Sequence, residues 1–442
     1  ATATITAIYF SDPSLLYLHH FCIISYIIFV MTRFQCEPFH PAVWLTPFLY
    51  IYHGSTCVYH LLGIEVARYP EEVTLCVWLA VATVGNFSIL FCRQNNVRYD
   101  TNAMPVGSIP LRVLQSLYVL FFFIFTLDLA QFLISGASSK IDIVLFDLRG
   151  INLSFSHSLL ILTYTILLSY YTFVRRRYPI QLTALTLFAL SLGVLILGER
   201  DILLRPLAIS LLAYSVHRKS AKWVVLPLGA FALVSVPFLG ALKSYFTLGF
   251  RLSHENEFLF SPFYGEFLRV GKNLEVILHR MDMWDYFYGE TLLWDFARGL
   301  IPGFLYVPTN PTSWFNDLFF GALREEGGAN GFSLLAEGYI NFGYTGIVLW
   351  YSALSLFVHT FFRYSRRSVL ALACYLYMVP FMIHVQRADF SNLISPLWKQ
   401  LLLPITALMI GVSFHKALMR RRKKATNRSQ DKIGALRARA VR

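Results

Sequence analysis

The sequence predicts an all-α fold: a polytopic transmembrane helix bundle of about 11–12 spans, with one large extracytoplasmic loop that contains an amphipathic helix. Three observations predict it. Of 442 residues, 56% are hydrophobic and 14% charged, too little polar surface for a soluble chain of this size. Apolar runs of the roughly 20 residues that a hydrocarbon core of about 30 Å requires recur along the chain. Lys and Arg gather on one side of the short connections, as they do on the cytoplasmic side of membrane proteins.

The runs fall near 15–32, 42–62, 73–92, 111–133, 154–174, 180–198, 202–216, 222–242, 333–362, 368–385 and 393–415. The run at 42–62 holds Pro47, His53, Gly54 and His60, so it reads as an ordinary span, a broken one or an interfacial one. Four parts follow: transmembrane helices in 1–242, a large periplasmic loop at 243–332, three further spans in 333–415 and a basic cytoplasmic tail at 416–442. The first run carries no cleavable signal pattern and reads as retained, and Ala1 in place of Met leaves room for one more crossing upstream.

Orientation comes from the charges. Arg175–Arg177, Arg218 with Lys219 and Lys222, and Arg363 with Arg366 and Arg367 mark inner ends, and the tail from Lys416 adds eleven more basic residues. The opposite side takes Glu65, Glu71, Glu72, the Glu199–Asp201 turn and the loop 243–332, where eleven acidic residues outnumber seven basic ones. The net charge of +13 is thus a topology signal plus a tail suited to anionic headgroups, rather than a nucleic-acid surface. The six cysteines, Cys22, Cys36, Cys57, Cys76, Cys92 and Cys374, lie in or beside spans and read as small buried hydrophobes, not as a disulfide framework or a metal cluster.

Within the loop, 262–282 carries Phe263, Phe267, Val270, Leu274, Ile277 and Leu278 at near-helical spacing, the pattern of a helix on the membrane surface or capping the bundle. No internal repeat is evident, which weighs against transporters built from repeated halves.

Charged groups at the mouth of a bundle are costly, so each is a candidate for function. In Gly198-Glu199-Arg200-Asp201 and Arg205, the arginines suit phosphate, though Asp201 and Arg205 at i,i+4 also make a plain intrahelical ion pair. Arg251 and His254 stand just beyond the eighth run, and His279-Arg280-Met281-Asp282 ends the amphipathic stretch; a solvated edge and a headgroup-level helix end explain them equally well. The fourth cluster is a Gly-rich turn, Gly327–Gly331, that leads into a helix on which Glu337, Asn341 and Tyr344 form one polar stripe at i, i+4 and i+7. Counted along a straight helix from Arg363, Glu337 sits roughly 39 Å away, past the roughly 30 Å core and therefore at the outer mouth. Gly338, Gly343 and Gly346 also suit a helix-packing stripe.

At these residues the sequence resembles the oligosaccharide repeat-unit polymerases, the O-antigen polymerase family known as Wzy. The likeness runs through Arg280-Met281-Asp282, Gly289-Glu290-Thr291, Ile301-Pro302-Gly303 leading to Pro308 and Pro311, the Gly198–Asp201 turn and, above all, Ala336-Glu337-Gly338-Tyr339-Ile340-Asn341-Phe342-Gly343. About a third of the chain carries it, and the first 170 residues match in hydropathy alone. Members often show Ser-Arg-Gly where this chain has Glu199-Arg200-Asp201, and a basic residue where Gly303 stands; 134–153 is the one candidate for their second loop.

The resemblance implies glycosyl transfer at the periplasmic face of a bacterial inner membrane. A glycan on undecaprenyl pyrophosphate would pass to another lipid-linked repeat unit, with no metal, cofactor or nucleotide sugar. Membrane lipids and a chain-length regulator would be its other partners. On that reading Arg200, Arg205, Arg251, Arg280 and Arg324 bind pyrophosphate, and Asn341 and Tyr344 position substrate. Glu337 is the first choice for general base, with His254 and Asp282 behind it. The alternatives are an O-antigen ligase, which shares the donor, and a flippase or exporter of lipid-linked oligosaccharide.

Overall fold

The computed structural model describes residues 13–63, 69–91, 109–134, 153–197, 201–218, 223–225, 227–228, 266–302, 305, 309–321 and 331–419. All regular structure among them is helical. Every predicted run except 222–242, which lies mostly outside the described residues, coincides with a helix: α1 (Pro13–Arg33), α2 (Pro41–Leu61), α3 (Pro70–Phe91), α4 (Leu111–Ile134), α5 (Leu153–Phe173), α6 (Ile180–Leu197), α7 (Asp201–His217), α11 (Leu334–Ser365), α12 (Val369–His384) and α13 (Ser391–Met419). Between α7 and α11 come α8 (Glu266–His279), α9 (Glu290–Leu300) and α10 (Pro311–Phe319). Six stretches, Leu15–Arg33, Pro70–Phe91, Leu111–Ile134, Leu334–Ser365, Val369–Arg387 and Ser391–Met419, are long and apolar enough to cross a membrane. The chain is a multi-pass membrane protein.

Helix starts follow local chemistry. His40, Ser333 and Ser368 cap α2, α11 and α12, each side chain accepting a first-turn amide, and Pro41 stands at the first position of α2, where a missing N–H costs nothing. Inside the bundle, hydroxyls return to their own helix: Thr46 to the Ala42 carbonyl, Thr74 to Pro70, Ser88 to Val84 and Thr165 to Ile161. Polar residues are thereby tolerated at 0–1% exposure in an apolar core. The run at 42–62 is a continuous helix through Pro47; its Thr46, His53 and Thr56 are fully buried, so it is an inner helix rather than a broken or interfacial one.

Among the described residues, the basic ends at Arg33, Arg175–Arg177, Arg218 and Arg363–Arg367 share one end of the bundle. His40, just after Arg33, packs edge-on against Phe362 at 5.0 Å; Tyr178, just after Arg177, donates to the Ser210 carbonyl and packs on Tyr214 near Arg218. At the opposite end, His157 of α5 reaches the Ile202 carbonyl of α7, and His384 of α12 approaches Asp201.

The amphipathic stretch forms α8, which buries Val270, Leu274 and Ile277. It packs along the second half of α2, with Gly271 against Thr56 and the His53 carbonyl, and ties to neighbouring segments: Glu275 accepts from the Tyr69 amide at 2.9 Å, His279 meets the Tyr69 hydroxyl at 2.7 Å, and Asn273 donates to the Gly331 carbonyl.

One expectation changes. The helix entered at Ser333 is not straight: at Phe342 (φ −146°, ψ 26°) and Gly343 (φ 59°, ψ −141°) the chain turns back on itself. Only glycine adopts the Gly343 conformation without strain. The two arms then touch. A Cβ added at Gly346 would stand 1.9 Å from the Gly338 carbonyl oxygen, and one at Gly338 would stand 3.0 Å from that of Gly346. In a straight helix residues eight apart lie about 12 Å apart along the axis. Leu334–Ser365 is therefore a tight hairpin of a short arm and a long arm.

Candidate functional site

The hairpin decides where Glu337 goes. Its Oε1 accepts from the Trp350 indole N–H at 3.1 Å, so Glu337 lies level with a residue of the long arm that is roughly 20 Å along the axis from Arg363. It sits about half as far along as a straight helix would put it, beneath the turn instead of at the outer mouth. Oε1 also accepts from the Thr291 hydroxyl at 3.2 Å, and Oε2 from the Phe390 amide at 2.9 Å. Three donors from three elements hold one fully buried carboxylate.

Asn341 locks the arrangement. Its amide N–H groups reach Thr291 Oγ1 and the Glu337 carbonyl, both at 2.7 Å, while its Oδ1 accepts from the Gly289 amide at 2.8 Å. The chain enters α9 through left-handed Tyr288 (φ 47°) and Gly289 (φ 94°), a turn that this contact fixes to the hairpin.

Two acids that the sequence reading passed over complete the cluster. Asp295 of α9 is fully buried, and neither of its carboxylate oxygens has a hydrogen-bond partner. The groups that face it are Glu337, Asp389 and the Ser391 amide. Burial, then the neighbouring charges of Glu337 and Asp389, raise the Asp295 carboxyl far above the ordinary carboxylate range. Asp389, also buried, is satisfied differently: it accepts from Thr312 at 2.6 Å, Asn392 at 2.7 Å and Ser391, and pairs with Arg298 at 3.4 Å.

Beside this acid cluster stands a cationic one. Asp201 is approached by Arg205 at 3.5 Å and by His384 and Arg387 at 3.8 Å each, so two guanidinium groups share one carboxylate. Arg205 also lies over the Phe381 ring at 4.5 Å. The turn between α12 and α13 joins the clusters, since Arg387 and Phe390 are three residues apart. Behind it, His53 meets Ser333 Oγ at 3.3 Å and the Tyr351 hydroxyl at 3.2 Å, and Tyr351 donates to Gln386 at 2.9 Å. That buried network ties both hairpin arms to α2 and to the same turn.

Of the residues singled out in the sequence, Glu337 and Asn341 meet, and Arg205 stands close by. The intrahelical Asp201–Arg205 pair does form, as one contact of a larger cluster. Tyr344 does not join them: it lies beyond the turn, packed on Tyr339 at 5.4 Å, so the stripe of three is broken. Arg280 is exposed and its side chain reaches Met283 Sδ, away from the acids. Arg200, Arg251, His254 and Arg324 lie outside the described residues, as does the Asp282 side chain.

Asp295, Asp389, His384 and Arg387 were legible only in part. The string Gln386-Arg387-Ala388-Asp389 places charges at the mouth of two apolar spans, a signal of the same kind as Glu199–Asp201. Thr291 and Asp295 stand at i,i+4 in α9 with apolar residues between them. Among the described residues no group of three or more His, Cys, Asp or Glu is placed to hold a metal ion.

Fold and site together define an α-helical multi-pass membrane protein with paired acid and cation clusters in the half of the bundle away from its basic ends. Comparison of the chain with family models, curated proteins and solved structures gives no match.

Proposed function

We propose that this chain is a membrane glycosyltransferase of the O-antigen polymerase type, joining undecaprenyl-pyrophosphate-linked repeat units at the periplasmic face of a bacterial inner membrane. In this reading the chain crosses about eleven times, its tail is cytoplasmic, and a chain-length regulator is a partner. The observation that supports it is the convergence of Arg205 and Arg387 with the Glu337–Asp295–Asp389 cluster on a single turn. Such a transfer needs both parts. The acceptor hydroxyl oxygen bonds to the donor's anomeric carbon as that carbon's bond to pyrophosphate breaks. Guanidinium groups stabilise the departing anion without proton exchange, and the hydroxyl proton passes to a carboxylate.

In this reading Glu337, oriented by its three donors, is the carboxylate that takes the proton, and Asp295, which keeps its own, packs beside it. Deleting the gene in a host that makes the polymer tests the reading: surface glycan should collapse to single capped repeats. Loss of all glycan from the lipid A core would instead identify a ligase, and accumulation of undelivered lipid-linked units an exporter.

A further inference from the structure

We infer that α9, which the sequence places in an aqueous loop, is seated in the bilayer with Leu293, Phe296 and Leu300 against lipid acyl chains and Thr291 and Asp295 turned to the acid cluster.

The helix is inside out for a water-soluble element. At about 100° per residue, Leu293, Phe296 and Leu300 fall within one narrow arc, and they are 70%, 46% and 43% exposed. Thr291, Asp295 and Gly299 fall on the other side and are buried. Polar inside and apolar outside is the pattern of a helix whose surroundings are hydrocarbon.

Depth is set by a second, independent set of contacts. α9 runs alongside the start of α13, a span long and apolar enough to cross the membrane. Asp295 lies by the Ser391 amide. Gly299 is so close that an added Cβ would come within 2.5 Å of Ile394. At the end of α9, Lys399 donates to the carbonyls of Arg298 at 2.9 Å and Ile301 at 3.0 Å. Lys399 stands about 12 Å of helix rise below Ser391, within the π-helical turn Pro396–Leu402 that interrupts the span. The last carbonyls of a helix in water find water; here a lysine from within a span supplies the donor, as lipid surroundings require. The outer face of α9 is also continuous with that of α13, where Trp398, Leu402 and Leu403 are exposed.

The consequence for the site is that a single helix separates Asp295 from lipid. A nitroxide attached at Leu293→Cys, Phe296→Cys or Leu300→Cys in proteoliposomes, with native cysteines replaced, should collide at least several-fold more with oxygen than with a water-soluble nickel chelate. Glu290→Cys at the top of the same helix should show the reverse. Preferential collision with the nickel chelate at 293, 296 and 300 would place the face in water, and inaccessibility to both reagents would place it under another part of this chain; either overturns the inference. Should a variant fail to assemble, the unaltered protein in vesicles containing a phosphatidylcholine with a diazirine in its acyl chain gives the same decision. Labelled peptide within 290–300 is expected, and labelling confined to the other apolar helices contradicts it.

Discussion

Glu337 has three donors and Asp295 has no hydrogen-bond partner, and that asymmetry makes a prediction about pH. An unfolded Asp releases its proton near pH 4, while burial and neighbouring charge keep it on Asp295 in the folded protein. The folded state therefore binds more protons, so stability is greatest at low pH and declines as pH rises above the ordinary carboxylate range. Asp295→Asn, which resembles the protonated acid, should flatten this slope. Melting in detergent at pH 6 and pH 9 checks it: the wild type should lose more than the variant, each 1 kcal/mol appearing as about 2–4 °C. Equal slopes would mean that Asp295 is ionised in the fold. The sequence revealed Glu337, Asn341 and Arg205 because they stand out in or beside apolar runs. It hid Asp295 and Asp389 because their surroundings are assembled from afar; Thr291 and Glu337 are 46 residues apart, and Arg298 and Asp389 are 91.

At the scale of elements, helix positions were legible from apolar length alone, and α8 from its period. The fold-back of α11 was not. Glu337, Asn341 and Tyr344 keep a helical spacing on both sides of the turn, so periodicity reads straight through it. The glycines carried the information: Gly343 permits the turn, and Gly338 and Gly346 permit the arms to touch. Gly346→Ala should therefore lower stability by at least the about 1–3 kcal/mol typical of overpacking, since the clash is with backbone that cannot swing aside. Gly343→Ala should cost about 1–3 kcal/mol for strain alone. Gly411→Ala, whose Cβ meets nothing within 4 Å, is the control and should be neutral or slightly stabilising in its helix. A thermal melt of the three variants that failed to rank them this way would refute the hairpin.

Across the whole molecule, the charge asymmetry in the sequence reappears as an arrangement in space. Arg33, Arg175–Arg177, Arg218 and Arg363–Arg367 share one end, and the acid and cation clusters lie toward the other. Single cysteines replacing Arg218 and Arg367 should react with an impermeant maleimide only after inner-membrane vesicles are inverted or opened, whereas one replacing Glu71 should react in intact spheroplasts. Reaction of the Arg218 and Arg367 positions from opposite sides would break the shared-end arrangement, and reaction of the Glu71 position from the same side as both would break its opposition to the acidic end. The large loop also changes character at this scale: its described helices are α8, which packs along α2, and α9 and α10, which wall the site. In the proposed function these walls enclose a polymerising site. Its most direct test is purified protein in liposomes with a synthetic undecaprenyl-pyrophosphate-linked repeat unit. The expected product is a ladder of lengthening glycans, reduced at least a hundredfold by Arg205→Ala with Arg387→Ala and by Glu337→Gln in preparations that still fold. A folded wild-type preparation that leaves the repeat unit unextended would contradict it.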